Sequence, residues 1–208
     1  MIGNAVAALA GLLGLIWLAG CATTTGTHPA AVPVVPWPQR LASLQAIRHF
    51  DTQGRIAVNH DSDGFSAGLR WQQNDDQASI DLSAPLGFGA AHIQQTDSIL
   101  RVTTAKGITL DNDAANDELR QTLGFDPPLK SLRYWVLGAS APDSSSRTVL
   151  DEQQRLTHLE QDGWQVDYGS YLLVNRHIWL PQTLTATRES FKVKVVILDW
   201  QLYSILGE

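Results

Sequence analysis

Phe65-Ser66-Ala67-Gly68-Leu69-Arg70-Trp71-Gln72, followed beyond Asn74-Asp75-Asp76 by Ala78-Ser79-Ile80-Asp81-Leu82-Ser83, places apolar side chains at every second position. Successive side chains of a strand point to opposite faces, so each run has one face for a core and one for water. Turn residues between two such runs predict an antiparallel sheet with one buried face.

The pattern extends in both directions. Residues 90–95, 98–104 and 107–110 are further strand candidates, separated by Asp97 and Lys106-Gly107. Upstream, the period of two begins at Phe50, and Arg55-Ile56-Ala57-Val58 starts a strand. Before it, Trp37, Leu41, Leu44 and Ile47 mark one stripe of an amphipathic helix over about 37–49. Two helices interrupt the sheet. Asp113 is the expected N-cap of 114–123, with Gly124 as its stop, and Pro127-Pro128 opens 128–137, ended by Gly138, with Leu129, Leu132 and Val136 on one side. Residues 139–147 read as a Pro/Ser loop, and strands resume at 154–160, 164–168, 180–188 and 191–200. Trp164-Val166-Tyr168 and Phe191-Val193-Val195-Ile197 carry inward faces. The last strand is apolar on both faces near its end (Val196, Leu198, Trp200), which predicts a central or covered position. No internal repeat is present. The expected fold class is α+β: one curved antiparallel sheet with a few helices against one side.

The N-terminus points to export. Residues 2–20 hold no charged side chain and end in Leu18-Ala19-Gly20-Cys21, which resembles the lipobox of bacterial lipoproteins. Cys21 is the only cysteine, so no disulfide framework competes for it. The expected organisation is a lipoprotein signal peptide over 1–20, an acylated Cys21 with a Thr/Pro-rich tether over 21–36, and a folded domain over 37–208. No Lys or Arg precedes the apolar run, so either the export signal is weak or the start lies upstream of Met1. Ala22-Thr23 lacks the Asp that retains lipoproteins in the inner membrane of enterobacteria.

Charge and motifs exclude several classes. A formal net charge of −6 argues against a nucleic-acid binder and against a polybasic membrane patch. Gly64-Phe65-Ser66-Ala67-Gly68 matches the G-x-S-x-G pattern literally, but a nucleophile elbow needs a sharp strand-to-helix turn. Here the alternation runs straight through Ser66, which reads as a solvent-facing strand serine. None of the six histidines falls at metal-ligand spacing, and no phosphate-binding glycine loop occurs. No enzyme activity, metal or cofactor is expected.

One segment is out of place. Ala84-Pro85-Leu86-Gly87-Phe88-Gly89-Ala90 lies between two strands, where turn residues are usually polar, yet it holds Leu86 and Phe88. Either one of them tucks under the sheet edge, or a tip leucine stays exposed because it enters something apolar.

The combination of Cys21, Gly54-Arg55-Ile56-Ala57, Trp71-Gln72-Gln73, Pro85-Leu86-Gly87, Trp135-Val136-Leu137-Gly138, Gly163-Trp164-Gln165-Val166-Asp167-Tyr168 and Leu198-Asp199-Trp200 resembles the LolB family. The resemblance runs in order from about residue 50 to 200. It implies an incompletely closed antiparallel β-barrel with helices covering an apolar cavity. It also implies an outer-membrane lipoprotein, anchored through Cys21 and facing the periplasm of a Gram-negative bacterium. Such a protein accepts acylated lipoprotein cargo from the periplasmic carrier LolA and inserts it into the inner leaflet of the outer membrane. The family's protruding apolar loop maps to Pro85, Leu86, Gly87 and Phe88, with Leu86 at the exposed tip and membrane phospholipid as its partner. By period-two phase, Trp71, Ile80, Leu82, Leu100, Val102, Trp164 and Val166 face the covered side and are expected to line the cavity, with Leu132 and Trp135 in its lid. A monomer is expected. The alternative from another class is a scaffold or assembly lipoprotein with a filled core.

Overall fold

The computed structural model describes residues 34–60, 63–83 and 90–203. Residues 32–208 make a compact unit by themselves. The whole sheet, its covering helices and their shared core lie inside that unit, so it folds without the preceding segment. Helix α1 spans Trp37–Gln45 and is followed by six strands: β1 His49–His60, β2 Asp63–Asn74, β3 Gln77–Ser83, β4 Ala91–Gln95, β5 Leu100–Thr104 and β6 Thr109–Asp111. Helices α2 (Asn112–Leu123) and α3 (Leu129–Val136) come next. The chain then returns through β7 Ser146–Leu150, β8 Leu156–Gln161, β9 Trp164–Tyr168, the hairpin β10 Tyr171–Val174 and β11 Ile178–Pro181, and finally β12 Thr183–Arg188 and β13 Phe191–Leu202.

Eleven strands form one antiparallel sheet in the order β6-β5-β4-β3-β2-β1-β13-β12-β9-β8-β7. The edge strands β6 and β7 do not pair with each other, so the sheet is a barrel left open. One long-range pairing, β1 with β13, joins the two successive hairpin series and puts β13 in the centre. The quoted stretch behaves as its alternation requires. Ala67, Leu69 and Trp71 are buried, and Trp71 stands opposite Ile80 on β3.

A β-bulge explains the doubly apolar end of β13. Gly54 opposes Ile197 while Gln53 opposes Asp199, which leaves Leu198 as the extra residue. Leu198 is therefore 64% exposed, and Trp200 resumes the inward phase at 7%. A Cβ on Gly54 would meet the Val196 carbonyl oxygen, so this position needs glycine.

Several local expectations are corrected. The first helix ends at Gln45 rather than near 49, because Phe50 must be in strand geometry to pack against Trp71 (5.8 Å) and Trp200 (5.5 Å). The second helix begins at Asn112, so Asp113 lies in its first turn and Asp111 holds the N-cap position. Asp111 makes no capping bond because its carboxylate accepts both Nε and Nη2 of Arg101, at 2.7 and 3.0 Å. The expected loop 139–147 takes in the first two residues of β7 (Ser146–Leu150), a strand the sequence reading did not expect because this edge strand has little apolar signal of its own. The expected strand 180–188 is divided at Gln182 between β11 and β12.

Candidate functional site: an apolar cavity beneath the third helix

The inner face of the sheet is not filled by its own side chains. Ile56 and Val58 of β1, Phe65, Leu69 and Trp71 of β2, and Ile80 and Leu82 of β3 form one wall of a cavity. Trp164, Leu184, Ala186, Val193 and Val195 form the other. Leu123, Phe125, Pro127 and Pro128 cover it from the α2–α3 connection, and Leu129, Leu132, Trp135 and Val136 from α3. Every lining residue is apolar. The cavity volume is about 80 Å³. A wholly apolar lining offers a water molecule no hydrogen-bond partner, and at this volume a long hydrocarbon enters only as the walls part.

The roof is fixed at one end and lightly held at the other. At the C-terminal end of α3, Trp135 Nε1 donates to Gln161 Oε1 at 2.9 Å, and Gln161 Nε2 donates to the Ala141 carbonyl at 2.8 Å. Tyr168 OH donates to the Trp135 carbonyl at 3.0 Å, and burial pushes its phenol well above the ordinary range. Toward the start of α3 the tie is at the surface, where Ser131 Oγ donates to Asp162 Oδ2 at 2.8 Å, and Leu129 and Leu132 are only half-buried. Arg133 ties the outer side of the helix to the β2–β3 turn, donating Nη1 to Asp76 at 2.9 Å, while its buried Nε has no partner. Trp164 crosses the wall, with Trp135 on one side (6.3 Å), Phe125 on another (5.3 Å) and the Arg188 guanidinium over its ring (5.4 Å). Its indole Nε1 is buried without an acceptor.

Of the residues singled out from the sequence, Trp71, Ile80, Leu82, Leu132, Trp135 and Trp164 border the cavity. Val102 and Val166 are 1% and 0% exposed and belong to the packed core beside it. Leu100 packs half-buried against that core and borders a separate, mixed polar groove. Residues the sequence reading left out include Phe65 and Leu69, although they share the phase of Trp71. Pro127 and Pro128 were also left out, having been read only as a helix start. Pro85, Leu86, Gly87 and Phe88, and the lipid-attachment candidate Cys21, lie outside the described residues. Leu82 pairs with Ala91, so β3 and β4, the strands before and after residues 84–89 in sequence, are antiparallel neighbours. Ser66 sits mid-strand in β2, exposed and opposite Ala57, with no helix following. Among the described residues no three His, Cys, Asp or Glu side chains converge as a metal site, and no helix is long and apolar enough to cross a membrane.

Residues 48–200 match the family described as Outer membrane lipoprotein LolB. The outer-membrane lipoprotein LolB of Pseudomonas syringae pv. syringae is 34% identical over 186 residues, which is 88% of this chain and 90% of that protein. That of Ectopseudomonas mendocina is 36% identical over 188 residues, 88% of this chain and 91% of its own length. Among solved structures, a LolA superfamily protein of Nitrosomonas europaea superposes with a TM-score of 0.51 at 11% identity, covering 82% of this chain and 95% of its own. A putative outer membrane lipoprotein-sorting protein domain of Vibrio parahaemolyticus gives 0.52 at 10%, covering 82% and 92%. At these identities the two structures share a fold with this chain.

Proposed function

The chain belongs to the LolB family of outer-membrane lipoproteins, and from that premise we propose that its apolar cavity receives the acyl chains of other lipoproteins handed over by the carrier LolA. The cargo is then released into the inner leaflet of the outer membrane. The observation that carries this reading is the wholly apolar lining beneath a roof anchored mainly at one end. A hydrocarbon chain of about 16 carbons exposed to water costs roughly 13 kcal/mol, at about 0.8 kcal/mol per CH₂. Cargo therefore moves only from one shelter to another. Handover requires the acceptor to be better by a few kcal/mol, since about 1.4 kcal/mol is tenfold. A cavity that must be pried open before it fills suits such an intermediate affinity. Part of the gain from burying the chain offsets the lost contacts of the roof, so the bilayer still outcompetes it.

In the same proposal, Cys21 carries the lipid anchor on the periplasmic side of the membrane. The loop containing Pro85, Leu86, Gly87 and Phe88 touches the bilayer during delivery. No step needs nucleotide, metal or cofactor.

The test uses the unlipidated residue 32–208 domain and a fluorescent fatty acid. We expect saturable uptake, displaced by unlabelled palmitate, and transfer of a lipoprotein from LolA to the domain in solution. A domain that takes up neither would have to be the filled-core scaffold instead.

A further inference from the structure

The outer face of the sheet carries a feature that net charge conceals. Arg55 on β1 and Lys192 and Lys194 on β13 project from it, all exposed. Lys194 stands opposite Ala57 and Lys192 opposite Asn59, while Arg55, opposite Val196, is the diagonal neighbour of Lys194. Such neighbours are about 7 Å apart, less than the screening length of about 8 Å at physiological salt. Their other cross-strand partners, Gly68, Thr185 and Thr187, are neutral as well. Among the described residues none of the three has an ion-pair or hydrogen-bond partner.

Toward both edges of the same face the pattern is the opposite. Arg101 pairs with Asp111 at 2.7 Å, His92 with Asp81 at 2.7 Å, Arg147 with Glu160 at 2.8 Å, and His158 with Asp167 at 2.7 Å. Arg70 lies across from Asp81, and Asp51 and Asp199 occupy the far end of β1 and β13. Exposed Glu189 sits in the turn before β13. Three like charges are thus grouped mid-sheet in a chain whose net charge is −6.

We infer that Arg55, Lys192 and Lys194 form a docking surface for the anionic phospholipid headgroups of the membrane. The sheet register supports this occupant. Arg55 pairs with Gly68, and Gly68 with Ser83, the last residue of β3. Arg55 therefore lies about 10 Å, two strand spacings, from Ser83 at the end of β3, with Lys194 and Lys192 one strand further away on β13. The surroundings also favour lipid over an acidic protein. Ala57, Asn59, Thr185 and Thr187 are small and no aromatic side chain stands among them, whereas protein interfaces centre on aromatic anchors; the aliphatic neighbours are Val196, opposite Arg55, and the exposed Leu198 at the bulge. A headgroup layer asks only for charge. The inference rests on the reading that this chain delivers cargo at a membrane surface.

The residue 32–208 domain is tested for co-sedimentation with vesicles of phosphatidylcholine alone or mixed with phosphatidylglycerol. The domain is expected to adsorb to the mixed vesicles and to be released by high salt. Each cation near an anionic surface contributes about fivefold. The Arg55→Gln/Lys192→Gln/Lys194→Gln variant should therefore lose adsorption by at least about tenfold while its melting temperature holds. Arg101→Gln/Arg147→Gln, which removes paired cations, should change it little. Adsorption of the triple variant equal to the parent's overturns the inference, as does an equal loss in the paired-cation variant. Unchanged adsorption with failed handover from LolA overturns it too, and assigns the stripe to an acidic protein. Fatty-acid uptake measured on the same samples reports separately on the cavity, so the two readings fail independently.

Discussion

Ala186 borders the cavity from β12, 4% exposed and opposite Val193, and offers a way to close the site from inside. Ala186→Leu sends three more carbons into the void without touching the roof helix. Cavities cost about 24 cal/mol per Å³, so the roughly 80 Å³ here represents about 2 kcal/mol of forgone stability. Filling it should recover a part of that, offset by any strain as the leucine seeks a rotamer. For a domain of this size, 1 kcal/mol moves the melting temperature by about 2–4 °C. The variant should thus melt at the same temperature or a few degrees higher, yet lose fatty-acid uptake. Thermal melts and fluorescent-ligand titrations on one preparation give both readouts. Unchanged uptake in a stabilised variant would show that ligand enters elsewhere. A loss of more than about 2 kcal/mol would show that the space is already full.

Gly54→Ala places a methyl against the Val196 carbonyl at the bulge. It should destabilise the β1–β13 seam by about 1–3 kcal/mol, seen as a lower urea midpoint with an unchanged m-value. The Asp151 carboxyl is pushed up by burial, but hydrogen bonds from the Arg155 and Gln153 backbone and the Arg155 guanidinium hold it below its ordinary range. Its contribution is present above the unfolded-state carboxyl range and fades as pH falls through the depressed folded value. Asp151→Asn should therefore lower stability at neutral pH and flatten its acid dependence. Leu86→Glu should leave melting and cargo uptake near native while cargo stays on the protein, because a charge at the tip disfavours contact with the bilayer. A large drop in melting temperature would instead place Leu86 under the sheet edge. Cys21→Ala should abolish incorporation of labelled lipid; persistent labelling would move the attachment site.

The sheet was legible wherever one face is buried and the other wet. Ala67-Leu69-Trp71 and Val193-Val195-Ile197 show it, since period-two alternation is what a half-buried strand demands. It failed at β10–β11, where Tyr171-Leu172-Leu173-Val174 has no alternation. Its turn uses Asn175 and Arg176 in the left-handed region (φ 49° and 60°) instead of a glycine that would announce it. The bulge was hidden for a similar reason: Leu198 looks like a second apolar face until the register slip at Gly54 is known. The cavity was partly legible, because inward phase finds its walls. Phase alone does not separate Trp71, which borders the void, from Val166, which is packed solid. That distinction depends on where α3 lies, and eight residues of helix fix no docking position by themselves. The basic stripe lay beyond any local reading, as Arg55 and Lys194 meet only through the pairing of β1 with β13.

The central claim is that acyl chains lie between the sheet and α3. The most direct measurement gives LolA a lipoprotein whose acyl chain carries a photoreactive group near its end, transfers it to the protein and maps the crosslinks by mass spectrometry. The account predicts labels on residues facing the cavity, such as Phe65, Leu69, Leu132 and Val195, with Ala186→Leu abolishing them. Labels confined to the outer face, or unchanged in Ala186→Leu, would contradict it.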